Sequence, residues 1–286
     1  MCQASVAFSL MVAAVKIATR SLPALEVVFF LSLLGTLMMG ILMIRKKVTF
    51  LGKPEDRKLL FLRGFAGFLA LTLHFYTLSV LPVGTAVILN YTGPIFVAIL
   101  AMFFLGEKPG AFLISMVLVS FFGLYLLIKP EVRFDPSQGA ATGLAVLSGL
   151  FAAVAVTSIR SIRRRESPLT IIFAFTAIST VGSLFYLPFG FRWPHFREGI
   201  ALVIVALGSF YGQLWMTISY RRAPASLVAP FAYLTPLLSF FYGFVLWNEK
   251  LTVQKILGGL LVMSAGIAIS VIESRRGKKT ALSADF

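Results

Sequence analysis

The chain has 286 residues, of which 58% are hydrophobic and only 13% are charged, and its mean hydropathy is +0.92. A soluble domain of this length needs more polar surface, so the composition excludes a soluble globular protein and predicts a membrane protein. The net charge of +15 would suit a nucleic-acid-binding protein, but the basic residues flank apolar runs in short clusters, as membrane topology requires. No nucleic-acid partner is therefore expected.

Uncharged runs bounded by basic residues, Gly or Pro predict an all-α membrane protein with ten transmembrane helices. The first run lacks the basic start of a signal peptide, and we expect it to remain as helix 1. The uncharged stretch Gly64–Gly106 is too long for one span, and Leu81-Pro82 supplies a turn that divides it. The predicted spans are residues 2–19, 25–44, 59–79, 83–105, 110–128, 139–159, 168–188, 199–219, 224–246 and 252–272.

The distribution of Lys and Arg predicts the orientation. Most of them lie in the tail and in the loops after spans 2, 4, 6 and 8, and far fewer lie in the alternate loops. Basic loops stay in the cytoplasm, so both termini are expected there, with the protein in the inner (cytoplasmic) membrane.

The second half of the chain repeats features of the first. A constant offset of 142 residues aligns Pro82 with Pro224, Tyr91 with Tyr233, Pro94 with Pro236, Glu107-Lys108 with Glu249-Lys250, and Glu131 with Glu273. With five spans in each half, the second copy enters the membrane from the other side. We therefore predict two inverted repeats, residues 1–131 and 132–276, around a central cavity, followed by a cytoplasmic tail, 277–286. Inverted repeats are a physical basis for alternating access.

The chain resembles the EamA-type ten-helix carriers of the drug/metabolite transporter superfamily. The matching segments are Phe8–Lys16, Pro23–Phe30, Leu62–Gly64, Phe75–Leu78, Val87–Pro94, Leu105–Lys108, Tyr233–Pro236 and Asn248–Lys250. The resemblance implies a central cavity lined mainly by helices 1, 3, 4, 6, 8 and 9, and substrates such as amino acids, nucleotides, drugs or organic acids. Close relatives carry an arginine where this chain has Leu31, so any role of that cation does not transfer.

Polar residues beside two prolines are the first candidate substrate contacts. Pro94 and Pro236 are expected to kink helices 4 and 9 and to free backbone carbonyls, with structural kinks as the alternative. The polar residues one turn before them line the cavity or bond neighbouring helices. They are Asn90, Tyr91 and Thr92 in the first half, and Tyr233 and Thr235 in the second.

Two further clusters complete the predicted site. His74 is placed near mid-membrane, as a proton site, a donor to an anionic substrate or a neutral core histidine. Helix 8 carries Tyr211, Gln213, Trp215 and Thr217, as a polar cavity stripe or, for Trp215, as an anchor at the interface. Lys16 and Arg63 lie at helix ends, where they attract anions or snorkel to the interface. Glu107 and Glu249 are gates or structural caps.

These residues favour a secondary transporter over an enzyme. One cysteine, two separated histidines and no mid-membrane carboxylate leave no metal site, triad or acid–base pair, and no cofactor is expected. We predict export or exchange of a small anionic or zwitterionic metabolite, such as an amino-acid derivative or organic acid, by a monomer or homodimer. The alternative is a flippase for an amphipathic, lipid-linked substrate.

Overall fold

The helices follow the apolar runs of the sequence. The computed structural model describes residues 1–93, 96, 99–100, 111–128, 136–162, 165–222 and 229–283. A 3-10 turn, Pro54–Asp56, leads into the third helix, and another, Ala229–Tyr233, leads into the ninth. The helices are α1 (Cys2–Ala18), α2 (Ala24–Lys46), α3 (Arg57–Val80), α4 (Val83–Asn90), α5 (Ala111–Ile128), α6 (Pro136–Ile162), α7 (Pro168–Leu184), α8 (Phe196–Arg222), α9 (Leu234–Trp247) and α10 (Val253–Ser283).

Local sequence explains several helix ends. Leu81 has an extended backbone (φ −91°, ψ 161°) because Pro82 follows it, and this separates α3 from α4 as predicted. Lys47 and Asn248 end α2 and α9 with φ of 52° and 53°. Ser167 caps α7 by accepting a hydrogen bond from the N–H of Leu169 at 3.3 Å.

Among the described residues, four helical segments are long and apolar enough to cross a membrane. They are Ala24–Lys46, Pro54–Val80, Gly139–Ile159 and Phe196–Met216, and shorter apolar helices accompany them. Large apolar side chains such as Leu37, Phe61 and Phe241 are more than half exposed, as expected of surfaces that face lipid. The count of ten spans stays a prediction, because most of residues 94–110 lie outside the described part.

Helix packing joins the two halves of the chain. The main pairings are α1 with α8, α3 with α6, α2 with α7, α4 with α9 and α5 with α10, and α7 also packs against α3, as α8 does against α2. Each pairing brings together one helix from each half. The first helix of one half, α1, corresponds to the first helix of the other half, α6, and so on to α5 and α10. When each helix is replaced by its counterpart, the α1–α8 and α3–α6 pairings change places. The α2–α7, α4–α9 and α5–α10 pairings stay the same. The main buried core lies where α1, α2, α3, α4, α6, α8 and α10 meet.

The bounds of three helices differ most from the predicted spans. The helix α4 ends at Asn90, within the span expected over 83–105, and α9 begins at Leu234, within the span expected over 224–246. In contrast, α10 continues to Ser283, past the expected end at 272. The charged residues after Glu273 are good helix formers, so leaving the apolar run does not end this helix.

Candidate substrate-binding site

The helix break after α4 is the centre of the candidate site. Tyr91 and Thr92 form a turn, and helical backbone resumes at Gly93. The hydroxyl of Thr92 is buried and donates to the carbonyl of Leu89 at 2.7 Å. Pro94 lies outside the described residues. Because proline has no N–H, the carbonyl of Asn90 lacks its usual helical donor, so this break presents backbone polarity inside an apolar protein.

A second break lies at the corresponding place in the other half. The 3-10 turn Ala229–Tyr233 changes into the α-helix α9 at Leu234. Pro236 lies in the first turn of α9 and not in the middle of a continuous α-helix, which corrects the expectation of a mid-helix kink. Proline is tolerated there because the first N–H groups of a helix have no intrahelical acceptor.

The two breaks meet through a pair of tyrosines. The ring centroids of Tyr91 and Tyr233 lie 5.8 Å apart, with the ring planes at 61°. Tyr91 is half-buried and Tyr233 is only 3% exposed. The hydroxyl of Tyr233 lies against Gly266 of α10, where a Cβ would collide with it. Tyrosine at both positions of the repeat therefore corresponds to a real contact between the halves.

Each break also contacts the first helix of the opposite half. The amide of Asn90 donates to the hydroxyl of Ser148 on α6 at 2.8 Å. In the other half, the hydroxyl of Ser5 on α1 donates to the carbonyl of Phe231 at 2.8 Å, and Thr235 donates to the carbonyl of Ser5 at 3.3 Å. These are the helix–helix bonds considered as the alternative to cavity lining. In this conformation Asn90 and Thr235 make them.

A small cavity lies between α2, α7 and α8. Its volume is about 20 Å³, which is room for about one water molecule. Gln213 contributes to its wall, and so does Leu31, the position at which relatives carry arginine. The remaining lining residues are Gly35, Met39, Ile172, Phe175, Thr176, Ala206, Ser209 and Phe210.

The other predicted residues of α8 are placed differently from Gln213. Tyr211 is 44% exposed, and its ring packs against Trp215 with centroids 5.4 Å apart. This pair suits the interfacial-anchor alternative. The side chain of Thr217 lies outside the described part. The structure therefore brings Gln213, but not Tyr211, to a cavity.

His74 is buried in α3 with 8% exposure. Its Nδ1 has no hydrogen-bond partner among the described residues, and its ring lies 6.4 Å from that of Phe75. The expected carbonyl partner of a neutral core histidine is therefore not found at Nδ1.

Lys16 and Glu249 hold the turn between α3 and α4. The ammonium group of Lys16 donates to the carbonyl of Leu81 at 2.7 Å, and a carboxylate oxygen of Glu249 accepts from the N–H of Val83 at 2.8 Å. Burial raises the pKa of Glu249, while the Val83 hydrogen bond and the charge of Lys16 act in the opposite direction. The Lys16 ammonium group is thus engaged by the turn between α3 and α4. Glu107, the counterpart of Glu249, lies outside the described residues.

Sequence reasoning missed two buried carboxylates. Glu26 is 0% exposed and accepts a hydrogen bond from the backbone N–H of Arg192. Glu166 is 7% exposed and accepts from the backbone N–H of Lys53 at 2.6 Å. Each glutamate lies at the start of the second helix of its half and binds the loop after the second helix of the other half. The signal that could have found them is that each is an acidic residue close to the start of an apolar helix.

An ion pair between an exposed arginine and a buried aspartate lies beside Glu166. Arg165 Nη2 lies 2.9 Å from Asp56 Oδ1, and the side chain of Asp56 is 1% exposed. Arg165 and Glu166 thus hold the loop between α2 and α3 to the start of α7.

Comparison with known proteins identifies the family. The model of the EamA-like transporter family matches residues 1–129 and again residues 140–272. The chain belongs to this family. It is 33% identical over 268 residues to the pseudopaline exporter CntI of Pseudomonas aeruginosa, covering 93% of both chains. It is also 27% identical to the riboflavin transporter of Rhizobium johnstonii, over 71% of this chain and 67% of that protein.

Two more comparisons agree in function and in fold. The S-adenosylmethionine uptake transporter of Rickettsia prowazekii is 26% identical over 75% of this chain and 72% of its own length. A crystal structure with 18% identity superposes with a TM-score of 0.62, covering 96% of this chain and 98% of that one. The protein is thus a multi-pass membrane protein and a metabolite transporter of the EamA-like family, not an enzyme.

Proposed function

We propose that this protein exports or exchanges a small anionic or zwitterionic metabolite across the inner membrane by alternating access. An amino-acid derivative or an organic acid is the expected substrate class. Both termini lie in the cytoplasm in this proposal, as the distribution of basic residues predicts.

The contact between the two helix breaks carries the proposal. Transporters commonly bind their substrates near the membrane midplane, between interrupted helices whose unwound backbone provides hydrogen-bonding groups. Here α4 stops at Asn90 and α9 starts at Leu234, and Tyr91 and Tyr233 bring the two interruptions together at 5.8 Å. A solute between these tyrosines would contact both halves at once.

The pairing of helices supports alternating access. The main pairings interchange or persist when the halves are exchanged. The Glu26–Arg192 and Glu166–Lys53 contacts have the same form in the two halves, since each joins a glutamate to a backbone N–H of the other half. They lie at opposite ends of α2. A conformation in which the halves trade roles would use the same contacts in reverse, which is how inverted repeats expose one site to either side.

The charge of the interior favours an anionic group on the solute. The polar side chains assigned to the site are neutral or able to carry a positive charge, and Glu26 is engaged by the backbone of Arg192 at a helix end. A permanent cation would find no carboxylate there, and an unpaired buried charge costs several kcal/mol. The names of the relatives show that members of this family transport organic metabolites.

Reconstitution into liposomes tests the proposal. Vesicles loaded with a mixture of unlabelled amino acids and organic acids are given labelled members of the same mixture, and uptake by exchange is measured. We expect uptake with the wild-type protein and none with Gly93→Leu, which fills the space beside the α4 break. Gly143→Ala is the matched control, since a Cβ at Gly143 meets no atom within 4 Å. Movement of a fluorescent lipid without any solute uptake would replace this function with that of a flippase.

A further inference from the structure

Arg63 is a buried cation for which the described residues supply no acidic partner. It lies on α3, its exposure is 8%, and its guanidinium carbon lies 4.6 Å from the centre of the Phe175 ring on α7. Its Nε makes no hydrogen bond within the described part of the chain. The ion pair found there joins Arg165 to Asp56 and does not include Arg63.

This arrangement is energetically incomplete. Arginine cannot release its proton in a protein, so the charge persists. A buried charge without a counterion is costly, and stacking on an aromatic ring offsets only part of that cost. Arg63 lies about 9 Å along α3 from its first residue, at about 1.5 Å per residue. A snorkelling side chain would be exposed at its head group, which 8% exposure argues against.

The surrounding residues form a place for the guanidinium. Gly67 lies one turn further along the same face of α3, and a Cβ there would collide with Arg63 Nη1 and with the Phe175 ring. Glycine at this position therefore leaves the space that the guanidinium occupies. Phe175 also lines the small cavity between α2, α7 and α8, together with Thr176 and Gln213. The Phe175 ring therefore contacts the Arg63 guanidinium and also lines a cavity whose wall includes polar groups.

We propose that Arg63 and Phe175 form a subsite for a carboxylate group. A carboxylate supplies the missing negative charge and matches the planar donor face of a guanidinium with two parallel hydrogen bonds. This inference rests on the proposed function and deepens it: the subsite binds the anionic end of the transported solute. A lipid phosphate offers a similar charge, so the experiment separates these two sources.

The first test measures thermal unfolding of the full chain in neutral detergent. Benzoate is the probe and benzamide is its uncharged counterpart, at equal ionic strength. We expect benzoate at saturation to raise the unfolding temperature by about 2 °C or more, because a ligand that binds only the folded state stabilises it. Benzamide should leave the temperature unchanged. An equal shift with both compounds would overturn the proposal.

Variants assign the effect to the subsite. Arg63→Gln should abolish the benzoate shift, and Arg63→Lys should weaken benzoate binding about tenfold, because an ammonium group lacks the two parallel donors. Lys58→Gln, at an exposed position of the same helix, should keep the full shift. If Arg63→Gln does not fold, Gly67→Ala, which displaces the guanidinium, should lose the shift. A full shift in Arg63→Gln or in Gly67→Ala contradicts the subsite.

A second pair of measurements separates the alternatives. Mixed micelles containing phosphatidylglycerol or phosphatidylcholine replace benzoate in the same assay. Stabilisation by phosphatidylglycerol that depends on Arg63, with no response to benzoate, would assign the cation to a lipid and overturn the proposal. Transport of labelled organic acids with an unchanged KM in Arg63→Gln would reject the subsite but leave the proposed function standing. Benzoate binding by a protein that transports no solute would support the subsite and reject the proposed function.

Discussion

Glu249 caps the first turn of α4 from a loop at the far end of the chain. Its carboxylate accepts from the N–H of Val83 at 2.8 Å, while Lys16 binds the carbonyl of Leu81, two residues earlier, at 2.7 Å. Both contacts hold the turn between α3 and α4. One end of the protein is therefore tied together by α1, α4 and α9.

This contact predicts a pH dependence of stability. Burial raises the pKa of Glu249 in the folded state, so the folded protein binds the proton more tightly than the unfolded chain. The free energy of unfolding should be highest below the ordinary carboxyl pKa and should fall as the pH rises through the raised value. Glu249→Gln should remove this dependence, because the amide oxygen still accepts from Val83 but does not ionise. Thermal unfolding at several pH values measures it.

Two variants control this measurement. Glu249→Ala leaves the Val83 N–H without its partner and should lower the free energy of unfolding by about 1–2 kcal/mol. Glu55→Gln changes an exposed carboxylate and should retain the wild-type pH profile. A profile in Glu249→Gln that matches the wild type would show that another group titrates.

Gly52 is predicted to tolerate no side chain. Its φ is +60°, and a Cβ there would lie 2.7 Å from Leu60 Cδ1 and 2.9 Å from both carboxylate oxygens of Glu166. We expect Gly52→Ala to lower the free energy of unfolding by about 1–3 kcal/mol, from backbone strain and displacement of Glu166. Gly199→Ala, where a Cβ meets nothing within 4 Å, should be neutral or stabilising. Equal stability of the two variants would contradict this account.

The helix breaks should control substrate affinity. We expect Asn90→Ala and Tyr233→Ala each to raise the apparent KM by about tenfold, about 1.4 kcal/mol, while the yield of folded protein is kept. Gly149→Ala should impair transport, because its Cβ would lie 2.7 Å from Thr92 Oγ1 and 3.1 Å from the carbonyl oxygen of Asn90. Initial rates in liposomes test all three. Tight binding of a cationic dye, unaffected by these changes, would contradict both the site and its charge preference.

Transport should not be strongly driven by protons. The sequence places no Asp or Glu at mid-membrane, and His74 is the histidine that it places there. We expect facilitated diffusion or exchange, with uptake that responds little to an imposed pH gradient. Any pH dependence should disappear in His74→Ala at an unchanged rate. Strong proton-driven uptake by His74→Ala would refute this expectation.

The orientation can be tested with fusions. A reporter that works only in the cytosol should be active when fused after Phe286. A reporter that requires export should be active when inserted in the loop at 190–197. The opposite pattern would reverse the orientation and exchange the assignments of the two ends.

The sequence predicted the helices well where they are uninterrupted. The third span was expected at 59–79 and is observed at Arg57–Val80, and the sixth was expected at 139–159 and is observed at Pro136–Ile162. Apolar runs and flanking charges determine such boundaries locally. The division of the long uncharged stretch at Leu81 was also predictable, because proline restricts the residue before it.

Features that depend on neighbouring helices were harder to predict. Proline positions indicated irregular backbone, but not that α9 would begin from a 3-10 turn, which depends on the Ser5 hydroxyl binding Phe231. Similarly, Arg63 was expected at a cavity mouth or snorkelling to the interface. It is buried instead, because Gly67 and Phe175 shape a space for it. Periodicity along one helix carries no information about which residue of a distant helix will face it.

The carboxylates of Glu26 and Glu166 have a consequence for biosynthesis. Glu26 emerges from the ribosome well before Arg192, and Lys53 emerges well before Glu166. While the second half is still being translated, the first half therefore lacks the protein partners of the Glu26 carboxylate at the start of α2 and of the Lys53 amide in the loop after it. A chain that stops before residue 192 never forms the Glu26 contact, so its first half stays incompletely folded and open to quality-control proteases.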